Sequence, residues 1–146
     1  MVWARLDSRS EVDARRAQKA EDGTLPPDLG AKAKHIAPKM RESHRKAVAA
    51  GVKIAFGTDA GVFPHRDAAK EFRYMVEAGM TPMAAIVAAT HNAADLIGHL
   101  PDFGTLEPGK FADLIAVDRN PLEDITRLEN VSFVMKAGQV VKNSLH

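Results

Sequence analysis

The stretch Val52-Lys53-Ile54-Ala55-Phe56-Gly57-Thr58-Asp59-Ala60-Gly61 constrains the fold of this chain more than any other. Val52, Ile54 and Phe56 are large and apolar, and the small Ala55 and Gly57 follow the last two, which is the pattern of a strand buried in a parallel sheet. Thr58-Asp59 falls where such a strand leaves the sheet, and Ala60-Gly61 give the backbone room to turn away. In barrel and open α/β architectures loops converge over that carboxyl end, and chemistry is done there. Asp59 is therefore a candidate active-site residue. On the local residues alone it serves at least as well as a helix cap or a turn-closing side chain.

Composition narrows the classes. With 146 residues, 45% hydrophobic and 27% charged, the chain is an ordinary globular sequence with room for one core. A formal net charge of +1, its charges interspersed, gives no electrostatic case for nucleic acid or an anionic membrane as partner. The absence of cysteine excludes a disulfide framework, a thiolate metal site and a nucleophilic cysteine. Any metal must use nitrogen and oxygen ligands. No apolar run reaches the roughly 20 residues of a membrane span, and MVWARLDSRS lacks a signal-peptide hydrophobic region, so the cytoplasm is the expected compartment.

In chain order, residues 1 to 30 read as a polar, irregular surface excursion, with a short helix between Glu11 and Asp22 before Pro26-Pro27. Ile36, Met40, Ala47 and Val48 recur at helical spacing, predicting a helix that starts or kinks near Pro38 and ends at Ala50, with Gly51 as its C-cap. Ala68, Phe72, Met75 and Val76 form a second helical face closed by Gly79. Thr81-Pro82 opens a third helix, carrying Ile86, Ala89, Ala93, Leu96 and Ile97 inward as far as Gly98. The period then changes: Ala112 to Val117 reads as a strand, and Val131 to Met135 with Gln139 to Val141 as a hairpin around Ala137-Gly138. A single parallel strand with its helices makes no sheet, so the chain looks incomplete.

Three stretches carry a resemblance: Gly51 to Gly61; Gly79 to Ile86 followed by Ala89-Thr90-His91-Asn92-Ala93-Ala94; and Gly104-Thr105-Leu106-Glu107-Pro108-Gly109-Lys110-Phe111-Ala112-Asp113-Leu114. Taken in order, they resemble the amidohydrolase superfamily, and within it the imidazolonepropionase-like and Xaa-Pro dipeptidase-like group. The resemblance implies an α/β fold: the C-terminal part of a (β/α)8 TIM barrel in residues 1–103, and returning strands of a small β-sandwich in 104–146. It implies that Asp59 ligates one metal, takes a proton from the attacking water and delivers it to the departing nitrogen. Zinc, as one or two ions in a complete enzyme, is the expected metal.

His65, on the same loop, is the next candidate for touching substrate, although an exposed, hydrated histidine accounts for it equally well. Arg66 stands where related sequences often have glycine. It could receive a substrate carboxylate, while a solvated loop charge is the plainer account. The other histidines assemble no metal site: His91 and His99 lie about 12 Å apart along a helix at 1.5 Å per residue. The family's remaining ligands would lie upstream of Met1. Lys110 and Asp113 read as structural residues of the return loop, the lysine on a surface turn and the aspartate at a strand start, and Met75, Met80 and Met83 as core filling.

The function expected is the C-terminal portion of a metal-dependent enzyme hydrolysing the C–N bond of a dipeptide or small cyclic amide, inactive as this chain alone. The competing expectation is a non-catalytic fragment or accessory chain that binds a complementary polypeptide. Neither involves nucleic acid or membrane, and both leave room for a homo-oligomer.

Overall fold

The computed structural model describes residues 3–6, 27–58 and 64–145. Two sheets organise them. Strand β1 (Trp3–Leu6) pairs in parallel with β2 (Lys53–Phe56), in the register Trp3 with Lys53 through Leu6 with Phe56. The expectation of one parallel strand behind an irregular amino-terminal segment is corrected here. Four residues are too few to show a period, so β1 is identified by its partner. The short helix expected between Glu11 and Asp22 lies outside the described residues.

Helix α1 (Pro27–Ala49) begins well before Pro38 and runs through it. Its inward positions Ala33, Ala37, Met40, His44 and Ala47 recur every three or four residues, and Ala33 and Ala37 are buried. Pro38 sits on the exposed side, as does Lys34, whose carbonyl loses its helical donor to the proline and can turn to water instead. The helix stops as expected. Gly51 adopts a φ of +68°, its N–H bonds the Val48 carbonyl at 3.0 Å, and the Val52 N–H bonds the Ala47 carbonyl at 3.1 Å. This is the Schellman closure, and it hands the chain straight into β2.

A 3-10 turn (His65–Lys70) leads into α2 (Glu71–Glu77), followed by α3 (Pro82–Ala89). The Thr81 hydroxyl accepts the Ala84 N–H at 3.1 Å, and Pro82 occupies the first helical position. Ile54 from β2, Met75 from α2, and Ala85 and Ala88 from α3 form the buried core, with Phe56, Phe72 and Val76 packed against it.

The predicted third helix is in fact two. Thr90 leaves the helical region (φ −116°, ψ −89°) and separates α3 from α4 (His91–Leu96). Its hydroxyl donates to the Ile86 carbonyl at 2.8 Å, a back-bond that bends helices. The break changes the phase. Ala94 becomes the buried residue of α4, while Leu96 and Ile97, expected inward, are 47% and 60% exposed. A close approach holds the break from outside: a Cβ on Gly104 would stand 2.6 Å from the Ala94 Cβ and 3.1 Å from the Thr90 carbonyl oxygen.

Met75 fills the core as expected, whereas Met83, also expected there, is 52% exposed. Lys110 is structural, as expected, but lies inward rather than on the surface. Its side chain is only 12% exposed, and its ammonium donates to the Leu100 carbonyl at 2.8 Å and to the Thr105 hydroxyl, so it ties the loop together from within. Beyond it, β3 (Leu114–Val117), β4 (Val131–Lys136) and β5 (Gln139–Asn143) form an antiparallel sheet in that order, and a 3-10 turn (Ile125–Glu129) precedes β4. The hairpin turns through Ala137 and Gly138, both at positive φ (49° and 78°), the type I′ geometry that suits strand twist. Ala137 tolerates this conformation with help from Asp113, whose carboxylate accepts the Ala137 N–H at 2.6 Å and pairs with Lys136.

The Ala137 amide first, and then the Lys136 ammonium, hold Asp113 below the usual carboxylate range. A depressed folded pKa adds stability that is fully present above the unfolded value of about 4 and is lost as pH falls through the folded value. Hydrogen exchange of the β4–β5 amides should therefore show protection constant from neutrality to about pH 5 and falling in stronger acid. In Asp113→Asn, protection should be lower at neutrality and much less dependent on acid.

Candidate active site

Strand β2 is buried in its middle, with Ile54 4% and Ala55 1% exposed, and its carboxyl end emerges at the half-buried Gly57 and Thr58. Phe56 and Phe72 pack with ring centroids 4.8 Å apart, tilted by 34°, so α2 is seated beside that end of the strand. Asp59, the residue singled out first, lies outside the described residues. The chain is described again from Pro64, and His65 and Arg66 are both exposed at the start of the 3-10 turn. Their neighbours are engaged with each other: the Lys70 ammonium stands 2.9 Å from Asp67, and the Arg73 guanidinium 3.7 Å from Glu77. The Tyr74 hydroxyl, 3.3 Å from Arg73, is the first cause of the raised Arg73 pKa.

Two residues escaped the sequence reading. Glu71, at the start of α2, is 1% exposed. It occupies the apolar stripe formed by Ala68, Phe72, Met75 and Val76, and a carboxylate on such a stripe was a legible signal. At that depth it requires an interaction partner, and it has one. Asn92 is the other. Its side-chain Nδ2 donates to the Ile54 carbonyl at 2.8 Å, reaching from α4 into the buried strand, while His91 Nδ1 lies 3.3 Å from its Oδ1. One helical step on, Asp95 pairs with Lys53 at 2.7 Å, and that hydrogen bond holds Asp95 below the ordinary carboxylate range.

Among the described residues, no three His, Cys, Asp or Glu side chains stand together as a metal site. His35 is 2.7 Å from Lys39, and His99 is 2.9 Å from Asp102 and stacked on Phe103, so both are engaged locally on the surface. Among the same residues no helix is long and apolar enough to cross a membrane.

Residues 2–141 match the family described as the amidohydrolase family. An ochratoxinase of Aspergillus niger is 41% identical over 117 residues, covering 77% of this chain and 24% of that protein. An imidazolonepropionase of Shouchella clausii (strain KSM-K16) is 32% identical over 105 residues, covering 66% of this chain and 23% of that protein. In structure, the chain is similar to a Xaa-Pro dipeptidase crystallised with methionine in its active site, with a TM-score of 0.86 and 46% identity over 93% of this chain and 33% of that one. The chain thus spans about a quarter of the length of these curated relatives.

His65 and Arg66 bury little, so their truncation should leave folding nearly untouched. His65→Ala and Arg66→Ala are expected to change unfolding free energy by no more than about 0.5 kcal/mol in urea titrations. A larger loss would assign them to the scaffold.

Proposed function

The chain belongs to the amidohydrolase family, and from that premise we propose that it is the C-terminal portion of a metal-dependent hydrolase of C–N bonds, acting on a dipeptide or small cyclic amide. The observation that carries this reading is the family match across residues 2–141. The similarity to the Xaa-Pro dipeptidase points to a dipeptide. In this reading the parallel β1–β2 pair with its helices is part of the barrel, and the β3–β4–β5 sheet is part of the sandwich.

Amide hydrolysis needs an activated water and a proton for a poor leaving group. The residue offered here is Asp59, whose carboxylate takes the proton of the attacking water and passes it to the departing nitrogen. His65 and Arg66 stand on the segment that comes next and are offered to the substrate, with Arg66 suited to a terminal carboxylate. Members of the family are generally metal-dependent. The described residues do not compose a site for the ion, and Asp59 adds one carboxylate where a catalytic centre uses about three protein ligands. Zinc, as one or two ions, therefore belongs to the proposal for the complete enzyme.

A second reading, that the chain binds a complementary polypeptide, is favoured by one observation. Met83, Leu96, Ile97, Val140 and Val141 are all more than two-fifths exposed, at 52%, 47%, 60%, 54% and 69%. Size-exclusion chromatography distinguishes the readings, because a monodisperse monomer speaks against obligatory association.

In an enzyme carrying this segment, Asp59→Asn should lower turnover on Xaa-Pro dipeptides by about 10² to 10⁴ with a smaller effect on KM. Turnover within twofold of the parent would reduce Asp59 to a cap. The 146-residue chain by itself should retain substoichiometric zinc after dialysis and hydrolyse no member of a dipeptide panel above background. Stoichiometric zinc with zinc-dependent turnover would show that residues of this chain complete the site.

A further inference from the structure

We propose that Asn92 is a positioning residue, whose side-chain bond to the Ile54 carbonyl seats β2 and with it the carboxyl end of the strand at Gly57 and Thr58, which Asp59 follows in sequence. The inference rests on the catalytic role proposed for Asp59. The bond joins residues 38 apart in sequence and reaches a main-chain carbonyl in a strand buried at Ile54 and Ala55. Among the described residues β2 pairs with β1 alone, and the Ile54 carbonyl accepts its hydrogen bond from a side chain of α4.

The grip is doubled. Asp95, one helical step beyond Asn92, holds Lys53 at 2.7 Å, so consecutive residues of β2 are tied to one face of α4. Helix α4 is a firm anchor, because Gly104 packs at the Ala94 Cβ and the Thr90 carbonyl with no room for even a Cβ. A strand is stiff along its axis. From Ile54 to the end of the strand at Phe56 is about 7 Å at 3.3 Å per residue, and a shift at the seat is carried to that end. A misplacement of about 1 Å can cost about a hundredfold in rate. With His91 Nδ1 against the amide oxygen, the Asn92 NH2 is directed at the strand.

The test has two arms. In the 146-residue chain, hydrogen exchange at the β2 amides should accelerate about tenfold in Asn92→Ala and in Asn92→Asp, which keeps the size but loses the donor. Exchange in α2 and α3 should stay within about threefold. Unchanged β2 protection, or an equal loss throughout the core, would overturn the proposal. In the active enzyme carrying this segment, at a temperature where the variants are fully folded, Asn92→Asp should lower kcat at least about tenfold while KM stays within about threefold. A kcat equal to the parent's would leave Asn92 a purely structural residue, and failure of both variants to fold would assign it to folding. If the parent itself hydrolyses no dipeptide or cyclic amide, the reading of the function fails, while the exchange arm still decides whether Asn92 seats β2.

Discussion

The contact of Ile54 with Met75, Ala85 and Ala88 is the one against which the rest of this structure is laid. A short parallel strand has no stability of its own, and β2 exists because two helices exclude water from its face. Burying Ile54 and Met75 is worth about 1.5–3 kcal/mol each, while the alanines contribute mainly by being small. Ala85 and Ala88, three residues apart on α3 and wholly buried, let that helix close on the core without large side chains.

The chain beyond α3 is held by a different kind of force. From Thr90 onward the ties are polar and specific: Asn92 to the Ile54 carbonyl, Asp95 to Lys53, Lys110 to the Leu100 carbonyl, and Asp113 to the Ala137 amide. Each joins residues ten or more apart in sequence. The return segment thus folds back on the strand as a brace, and the antiparallel sheet is attached as well through the buried Ile125 and Leu128 of the 3-10 turn that packs against α2. The 3-10 turn before β4 also packs against the His65–Lys70 turn, near the carboxyl end of β2. His65 and Arg66, at the start of that turn, are exposed.

The signals legible in the residues were those of local geometry. Glycines after apolar helical runs ended helices at Gly51, Gly79 and Gly98, and all three adopt positive φ. Thr81-Pro82 began a helix, Ala137-Gly138 turned a hairpin, and the large-small alternation of Val52 to Gly57 produced a buried strand. Each depends on backbone sterics or a cap within four residues, which the chain carries wherever it goes. Family membership was legible for the same reason, being written in ordered short motifs.

The remainder was decided by contacts that no local window contains. Trp3–Leu6 became a strand because Lys53–Phe56 offered it a ladder. The break at Thr90 turned Leu96 and Ile97 outward and Ala94 inward, a change of phase that a continuous helical period conceals. Lys110 went inward because distant carbonyl and hydroxyl oxygens were waiting for its charge. The sequence by itself thus determined where elements start, stop and turn, because those choices are settled by steric and capping forces between near neighbours. Only the tertiary structure decided which faces are buried and which polar side chains hold the strand, because burial and long-range hydrogen bonds exist only once the chain has met itself.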